Sequence, residues 1–317
     1  MPRLGRMELL EGVAATGLLP PGQPVVVLLS GGRDSVCLLD VAVALAGPGS
    51  VRALHVNYGL RPEADGDEAH CAALCERLGV ALDVDRAARP EDAPGNLQAW
   101  ARDVRYAAGA RIAAAAGARL AAAHTATDQA ETILYRLAAS PGRRALLGME
   151  ARSGRLVRPL LGVTRAQTAD WCRARGLAWR EDATNDNDLY ARGRVRGGLV
   201  PALRAVHPAA ERNVVRTAAL LRDEAEVLDI VVDTTLAGRD RIAVGHLAAL
   251  PRALARLVVR RLAEGATGGL CARAPGRLDE ILVLGDGALD LGSGARAIVD
   301  GGVLRCERTP PLPAHRP

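Results

Sequence analysis

A run of residues that is apolar at every position, 25–29, leads directly into Ser30-Gly31-Gly32-Arg33-Asp34-Ser35, and a helical pattern over residues 35–46 starts at once. Unbroken apolar, β-branched sequence reads as a strand buried on both faces, as in parallel sheets. Two glycines let the backbone adopt unusual dihedrals and approach a ligand closely. The helix start that follows offers free N–H groups and a positive dipole end to an anion. Ser30 and Ser35 add hydroxyls for phosphate oxygens. Asp34 is out of place beside an anion unless a divalent cation lies between them, and carboxylate plus phosphate oxygens is a normal setting for Mg²⁺. The hexapeptide therefore reads as a phosphate-binding loop with Asp34 as its metal ligand.

The grammar around this loop predicts an α/β fold with a doubly wound parallel sheet. Strands are expected at residues 51–56, 81–84, 119–123 and 156–157, and helices at 63–78, 96–116 and 127–138, the last with Thr127 as N-cap. Ligands of such sheets lie outside the carboxyl ends of the strands, so the loops after Leu29, Val56 and Ala123 are expected to share one crevice. Further on, helices are expected at 164–175, 193–205, 209–234 and 246–264, a polar loop at 181–190, and two or three short strands within 288–308. A boundary near Val206-His207-Pro208 gives a catalytic domain, 1–206, followed by a smaller, mainly helical domain with short terminal strands, 207–317.

Composition narrows the chemistry. The 317-residue chain contains no Lys, so all 41 basic residues are Arg. That excludes a Walker A loop, whose Lys reaches the phosphates, and any lysyl Schiff base. A net charge of +5 is compatible with a polyanionic partner. The six cysteines form no CxxC pair and no zinc pattern. The Ala-rich stretch 107–123 is broken by Arg111 and Arg119 and is no membrane span. Without a targeting pattern at residues 1–19, a cytoplasmic location is expected.

Ser30–Ser35 resembles the SGGxDS motif of the PP-loop ATP pyrophosphatases, and further segments resemble, in order, the motifs of the tRNA(Ile)-lysidine synthetases. His55-Val56-Asn57-Tyr58-Gly59-Leu60-Arg61 is similar to HVNHGLR, and Ala101-Arg102-Asp103-Val104-Arg105-Tyr106 to ARxxRY. The decapeptide beginning Ala123-His124 and holding Asp128, Gln129 and Glu131 is similar to AHxxDDQxET. Arg158-Pro159-Leu160-Leu161 matches RPLL. Asp182-Ala183-Thr184-Asn185 and then Tyr190-Ala191-Arg192-Gly193-Arg194-Val195-Arg196 are similar to DxSN and YxRNRIR. The resemblance is strong over residues 24–205 and weak beyond.

The resemblance implies a ligase that uses ATP and Mg²⁺ to adenylate C2 of the wobble cytidine in the CAU anticodon of tRNA(Ile). The ε-amine of free L-lysine then displaces AMP, leaving lysidine and changing codon specificity from AUG to AUA. ATP would bind at Ser30, Gly31, Gly32, Arg33, Asp34 and Ser35. Asp34, Arg105 and His124 would be catalytic. Asp128 and Glu131, three apart on one helix face, suit an ammonium group or a metal; lysine is the expected occupant. Residues 143–216 hold fifteen Arg against seven acids, a surplus of about eight suited to RNA phosphates. Arg192, Arg194 and Arg196 are the sharpest part of that stretch, and Trp171 and Trp179 are aromatic residues able to stack on a base or fill a core. A homodimer is compatible with all of this.

The chain departs from the pattern at Thr127, where a second Asp is usual, at Tyr58 for His, and at Gly193 for Asn. Two other readings remain: a different PP-loop enzyme of tRNA modification, such as a thiolase, which the lack of CxxC disfavours, or a non-catalytic RNA-binding relic, which the retention of Asp34, Asp128 and Glu131 disfavours.

Overall fold

The computed structural model describes residues 3–60, 62–90, 96–139, 142–181 and 191–310. The chain divides into two compact units, Met1–Leu221 and Arg222–Pro317. The division falls inside one long helix, Ala210–Leu236.

The first unit is built on six strands, β1 (Val25–Leu28), β2 (Val51–Asn57), β3 (Ala81–Arg86), β4 (Arg119–Ala121), β5 (Arg152–Ser153) and β6 (Leu156–Val157), in the spatial order β3-β2-β1-β4-β6-β5. All neighbours run parallel except the β5–β6 hairpin at the edge. The chain starts at β1, moves outward through β2 to β3, and returns to the other side of β1 with β4. The strand order therefore reverses between β1 and β4, and a ligand crevice is expected outside their carboxyl ends. This is the doubly wound sheet that the sequence predicts.

The helices are α1 (Arg3–Ala15), α2 (Arg33–Ala46), α3 (Ala64–Leu78), α4 (Leu97–Ala115), α5 (Ala126–Ala139), α6 (Arg143–Leu146), α7 (Arg165–Ala174), α8 (Ala191–Arg194), α9 (Val200–Val206) and α10 (Ala210–Leu236). Both faces of the sheet are covered. Val25 and Val27 face a core completed by α1, α2, α3 and α7, including Leu9, Val13, Leu38, Leu39, Leu74 and Trp171. Val26 and Leu28 face a second core with Leu54, Ala108, Ala113 and Leu120. The alternation explains the unbroken apolar run: each face of β1 has its own partner, and each fully buried aliphatic side chain contributes about 1.5–3 kcal/mol. Gly109 lets α4 lie tight on the second core, since a Cβ there would stand 2.8 Å from Leu120 Cδ1 and 3.0 Å from Leu28 Cδ2.

Helix α1 has no counterpart among the expected elements. Its apolar residues are interspersed with Arg3, Arg6, Glu8 and Glu11, and Leu9 and Val13 are drawn into the core. The N-cap expected at Thr127 lies instead at Thr125: α5 starts earlier, and Thr127 is buried within it. The polar stretch 182–190 lies outside the described residues.

The second unit contains α11 (Val244–Ala249), α12 (Arg252–Thr267) and α13 (Leu278–Leu282) with an antiparallel sheet of β7 (Arg241–Ala243), β8 (Gly287–Gly292), β9 (Ala295–Asp300) and β10 (Val303–Arg308), ordered β7-β10-β9-β8. The single helix expected over 246–264 is two helices, because Pro251 lacks the N–H that a continuous helix needs and stands as the N-cap of α12. Strand β7 was too short to stand out in the sequence. Val258, Val259, Leu262 and Ile281 pack on Leu291, Ala297 and Leu304 to form this unit's own core.

Candidate active site

The loop after β1 is held open by its own hydrogen bonds. Gly31 takes φ +80°, and a Cβ there would meet Cys71 Sγ at 3.3 Å, so both backbone conformation and space call for glycine. Ser35 Oγ donates to Gly32 O (2.8 Å) and accepts from Ser30 N–H (3.2 Å), while Ser30 Oγ lies 3.2 Å from Ser35 Oγ. Gly32 caps α2 with no side-chain bond to the helix N-terminus. On the far side, Arg180 N–H donates to Gly31 O (2.9 Å), Gly32 pairs with Arg180 as an isolated parallel bridge, and Arg180 Nε donates to the buried Asp67 (3.0 Å). His55 on β2 lies 2.9 Å from Leu29 O and braces the strand end that feeds the loop. Arg180 and His55 thus set the loop's shape; a lone Arg gave no sequence signal for such a role.

From the first turn of α2, Asp34 meets residues of α7. Its carboxylate accepts from Thr168 Oγ1 and lies 3.3 Å from Arg33 Nε and 3.6 Å from Arg165 Nε. After β4, Thr125 and Asp128 bond reciprocally: Thr125 N–H and Oγ1 both donate to Asp128 Oδ2 (2.8 and 2.7 Å), and Asp128 N–H donates back to Thr125 Oγ1 (3.3 Å). This box fixes the start of α5 and presents Asp128 and Glu131 on one face. Arg165 Nη2 donates to Asp128 Oδ1 (2.6 Å) and Nη1 to Glu131 Oε1 (3.2 Å). Arg196 adds a two-pronged bond to Glu131, at 2.9 and 3.0 Å.

One guanidinium, Arg165, therefore joins three carboxylates from the starts of α2 and α5, the helices that follow β1 and β4. Burial works to raise the Asp128 carboxyl, but Arg165 and the Thr125 hydrogen bonds outweigh it, and the group is held below the usual carboxylate range. Glu131 is only 3% exposed and is met by two guanidinium groups, Arg165 and Arg196. A cavity of about 460 Å³ opens beside the cluster, lined by Arg33, Thr127, Glu131, Arg165, Arg196 and Arg204 among others. Arg165 escaped the sequence reading because a basic residue at a helix start looks like surface charge. Its position is fixed by Thr164, whose capping box with Gln167 opens α7.

His124 and Arg105 form a neighbouring group. The loop after β2 carries Tyr58, whose hydroxyl donates to Ala101 O (2.8 Å) and whose ring meets Trp100 edge-on at 5.7 Å, anchoring α4. Arg102 and Arg105 from α4 lie over the Tyr106 ring at 4.7 and 5.7 Å. Arg105 Nε and His124 Nδ1 are buried atoms without a hydrogen-bond partner. Burial pushes His124 down to about 4, against the pull of Asp128, and Arg158, Arg102 and Arg105 push the same way. The imidazole is therefore neutral at neutral pH, with a free ring nitrogen among arginines.

Of the three expected RNA-contacting arginines, Arg196 sits in the acid cluster. Arg194 lines a second cavity of about 380 Å³ with Tyr135 and Leu199. The side chain of Arg192 lies outside the described residues, as do Arg61, the Asp182–Asn185 segment and Tyr190. Trp171 is a core residue, 4% exposed, donating to the buried Asp40 (2.9 Å). Trp179 packs partly against the same core.

Asp34 is the carboxylate of the phosphate loop, and no group of three or more His, Cys, Asp or Glu suited to a metal occurs among the described residues. This donor set suits Mg²⁺, which takes one or two carboxylates with phosphate oxygens and water. No helix among the described residues is long and apolar enough to cross a membrane.

A family model described as a PP-loop domain matches residues 11–203. The tRNA(Ile)-lysidine synthase of Gloeobacter violaceus is 38% identical over 262 residues, covering 78% of this chain and 78% of that protein. Those of Thermus thermophilus and Pseudomonas fluorescens are 42% and 41% identical, over 77% and 64% of this chain. The chain spans only 48% and 47% of those two relatives' own lengths. Among solved structures, the U34-tRNA thiolase of Methanococcus maripaludis superposes with a TM-score of 0.57 at 18% identity, over 68% of this chain and 78% of that one, a likeness of fold.

Proposed function

The chain belongs to the tRNA(Ile)-lysidine synthase family of PP-loop proteins, and on that premise we propose that it joins L-lysine to the wobble cytidine of the CAU-anticodon isoleucine tRNA, converting ATP to AMP and pyrophosphate. The observation that carries this reading is the convergence of Asp34, from the phosphate loop, with Asp128 and Glu131, from the start of α5, on one cation, Arg165. An enzyme that couples a nucleotide to an amine needs an anion site and an ammonium site side by side, and this crevice has the chemistry of both.

In this reading Ser30, Gly31, Gly32, Arg33 and Ser35 hold the pyrophosphate moiety, with the free N–H groups of α2 directed at it. Asp34 is the protein ligand for Mg²⁺, which when bound neutralises phosphate charge during transfer of the adenylyl group. Asp128 and Glu131 hold the lysine side chain by its amine. The neutral His124 and the Arg105 guanidinium face the base; as the lysine amine forms its bond to C2 and the C2–O bond breaks, Arg105 stabilises the negative charge on the oxygen that leaves with AMP and His124 accepts the proton lost by the amine. Arg192, Arg194 and the C-terminal region expected from the sequence, residues 207–317, contact the tRNA. The setting is cytoplasmic, and a homodimer is compatible with it.

A thiolase chemistry is disfavoured by the thiols themselves. Burial pushes Cys71 up to about 12 and Cys75 up to about 11, and a bond to Cys172 together with burial raises Cys37 as well. Such groups stay protonated and are poor nucleophiles. Release of AMP and pyrophosphate from ATP that requires both the isoleucine tRNA and lysine would support the proposed reaction; AMP release with sulfide as sole acceptor would replace it.

A further inference from the structure

We propose that Arg165 is an internal occupant of the amine-binding acids and yields them when a polyphosphate arrives, so that nucleotide binding precedes and strengthens binding of the amine. This rests on the reading of Asp128 and Glu131 as the ammonium site.

The argument begins with charge. In the crevice Arg33, Arg165 and Arg196 stand against Asp34, Asp128 and Glu131, three against three, while Arg173 and Arg204, which also line the cavity, are paired with Asp170 and Glu211. A cluster so balanced gains little from one more cation. An ammonium group arriving first must compete with a guanidinium already 2.6 Å from Asp128 and 3.2 Å from Glu131, and it leaves the site with excess positive charge. A polyphosphate arriving first reverses the sign of the imbalance, and the ammonium then enters a site short of positive charge.

Geometry supplies the hinge. Arg165 is the first residue of α7; its backbone is tied by the Thr164 capping box and its N–H donates to Thr127 Oγ1 (3.4 Å). Its guanidinium spans the crevice, with Nε 3.6 Å from Asp34 on the phosphate-loop side and both Nη atoms on the acids of α5. The side chain is a quarter exposed, so rotation about its own χ angles carries the fork from the acids toward the phosphate loop with no backbone movement. A guanidinium carries five donors and no acceptor, suits carboxylate and phosphate oxygens equally, and never loses its charge. When Arg165 departs, Glu131 keeps Arg196 at 2.9 and 3.0 Å and Asp128 keeps its two bonds from Thr125, so each carboxylate retains partners while the ammonium takes the place of the guanidinium.

Calorimetric titration of the full chain with L-lysine tests this, alone and with Mg²⁺ plus a non-hydrolysable α,β-methylene ATP analogue, with norleucine as the control lacking the amine. The wild type should bind lysine about tenfold or more tightly with the analogue present, and lysine should raise analogue affinity by the same factor, because coupling is reciprocal. Arg165→Gln should bind lysine without nucleotide about as well as the wild type does with it, and its coupling should fall to near unity. Equal lysine affinity in the wild type with and without the analogue overturns the inference whether or not the variant folds. So does coupling that persists in Arg165→Gln. If the wild type binds no lysine under either condition, the assignment of the ammonium site falls, and the inference with it.

Discussion

Arg175, which caps the C-terminus of α7, grips Asp40 on α2 with two parallel hydrogen bonds, both 3.0 Å, and the carboxylate it holds is only 1% exposed. Trp171, one turn earlier, donates to the same group. Helix α2 opens at the phosphate loop and α7 opens at Arg165, so this internal pair fixes the distance between the two halves of the crevice.

The two ends of that pair are unequal, because the Arg175 side chain is 47% exposed. Arg175→Ala leaves a carboxylate in the core without its cation and should cost about 3 kcal/mol or more. Asp40→Ala returns Arg175 to water and orphans the Trp171 N–H, at about 1–3 kcal/mol. Urea unfolding of both variants checks the order; the reverse order would contradict the placement of Asp40.

His124 should stay neutral well below the range of an ordinary histidine. The unfolded chain takes up this proton near pH 6.5 and the folded chain only at about 4. Stability should therefore fall as pH drops through 6.5 and level off below about 4, with no contribution above 6.5. An NMR titration of the imidazole should give the low midpoint, and His124→Asn should remove that part of the acid loss. A midpoint near 6.5 would contradict the burial of the ring.

Gly31→Ala places a Cβ at φ +80° and 3.3 Å from Cys71 Sγ. The left-handed conformation costs a residue with a Cβ about 1–2 kcal/mol, and relief of that strain distorts the loop. Binding of the ATP analogue should weaken while the melting temperature falls by a few degrees. Unchanged nucleotide affinity would show that the loop does not need its observed backbone.

Asp34→Asn and Glu131→Gln should separate the two substrates. The first should abolish AMP release at any lysine concentration. The second should raise the KM for lysine more than that for ATP, and should also lower stability, since two guanidinium groups then face a neutral amide. Equal effects of Glu131→Gln on both KM values would count against the lysine site.

What could be read from the sequence followed local rules. The strand before the loop shows as an unbroken apolar run because both of its faces are buried, and Gly31 shows because its left-handed backbone and its packing against Cys71 call for glycine. Asp128 and Glu131 share a face through helix spacing alone. Arg165 and Arg180 could not be read so: their partners are far away in the chain, and in a sequence whose basic residues are all arginine, no single Arg stands out. The α11–α12 break was legible in principle at Pro251, but apolar spacing continued across it. The order of the strands, which creates the crevice, depends on pairing between distant segments and left no local mark.

The most direct measurement follows radiolabelled lysine into RNA, with the full chain, ATP, Mg²⁺ and either the CAU-anticodon isoleucine tRNA or the initiator methionine tRNA of the same anticodon. The account predicts label in the isoleucine tRNA alone, with AMP released in equal amount. No label in either RNA, under conditions where an authentic lysidine synthase transfers it, would contradict the account.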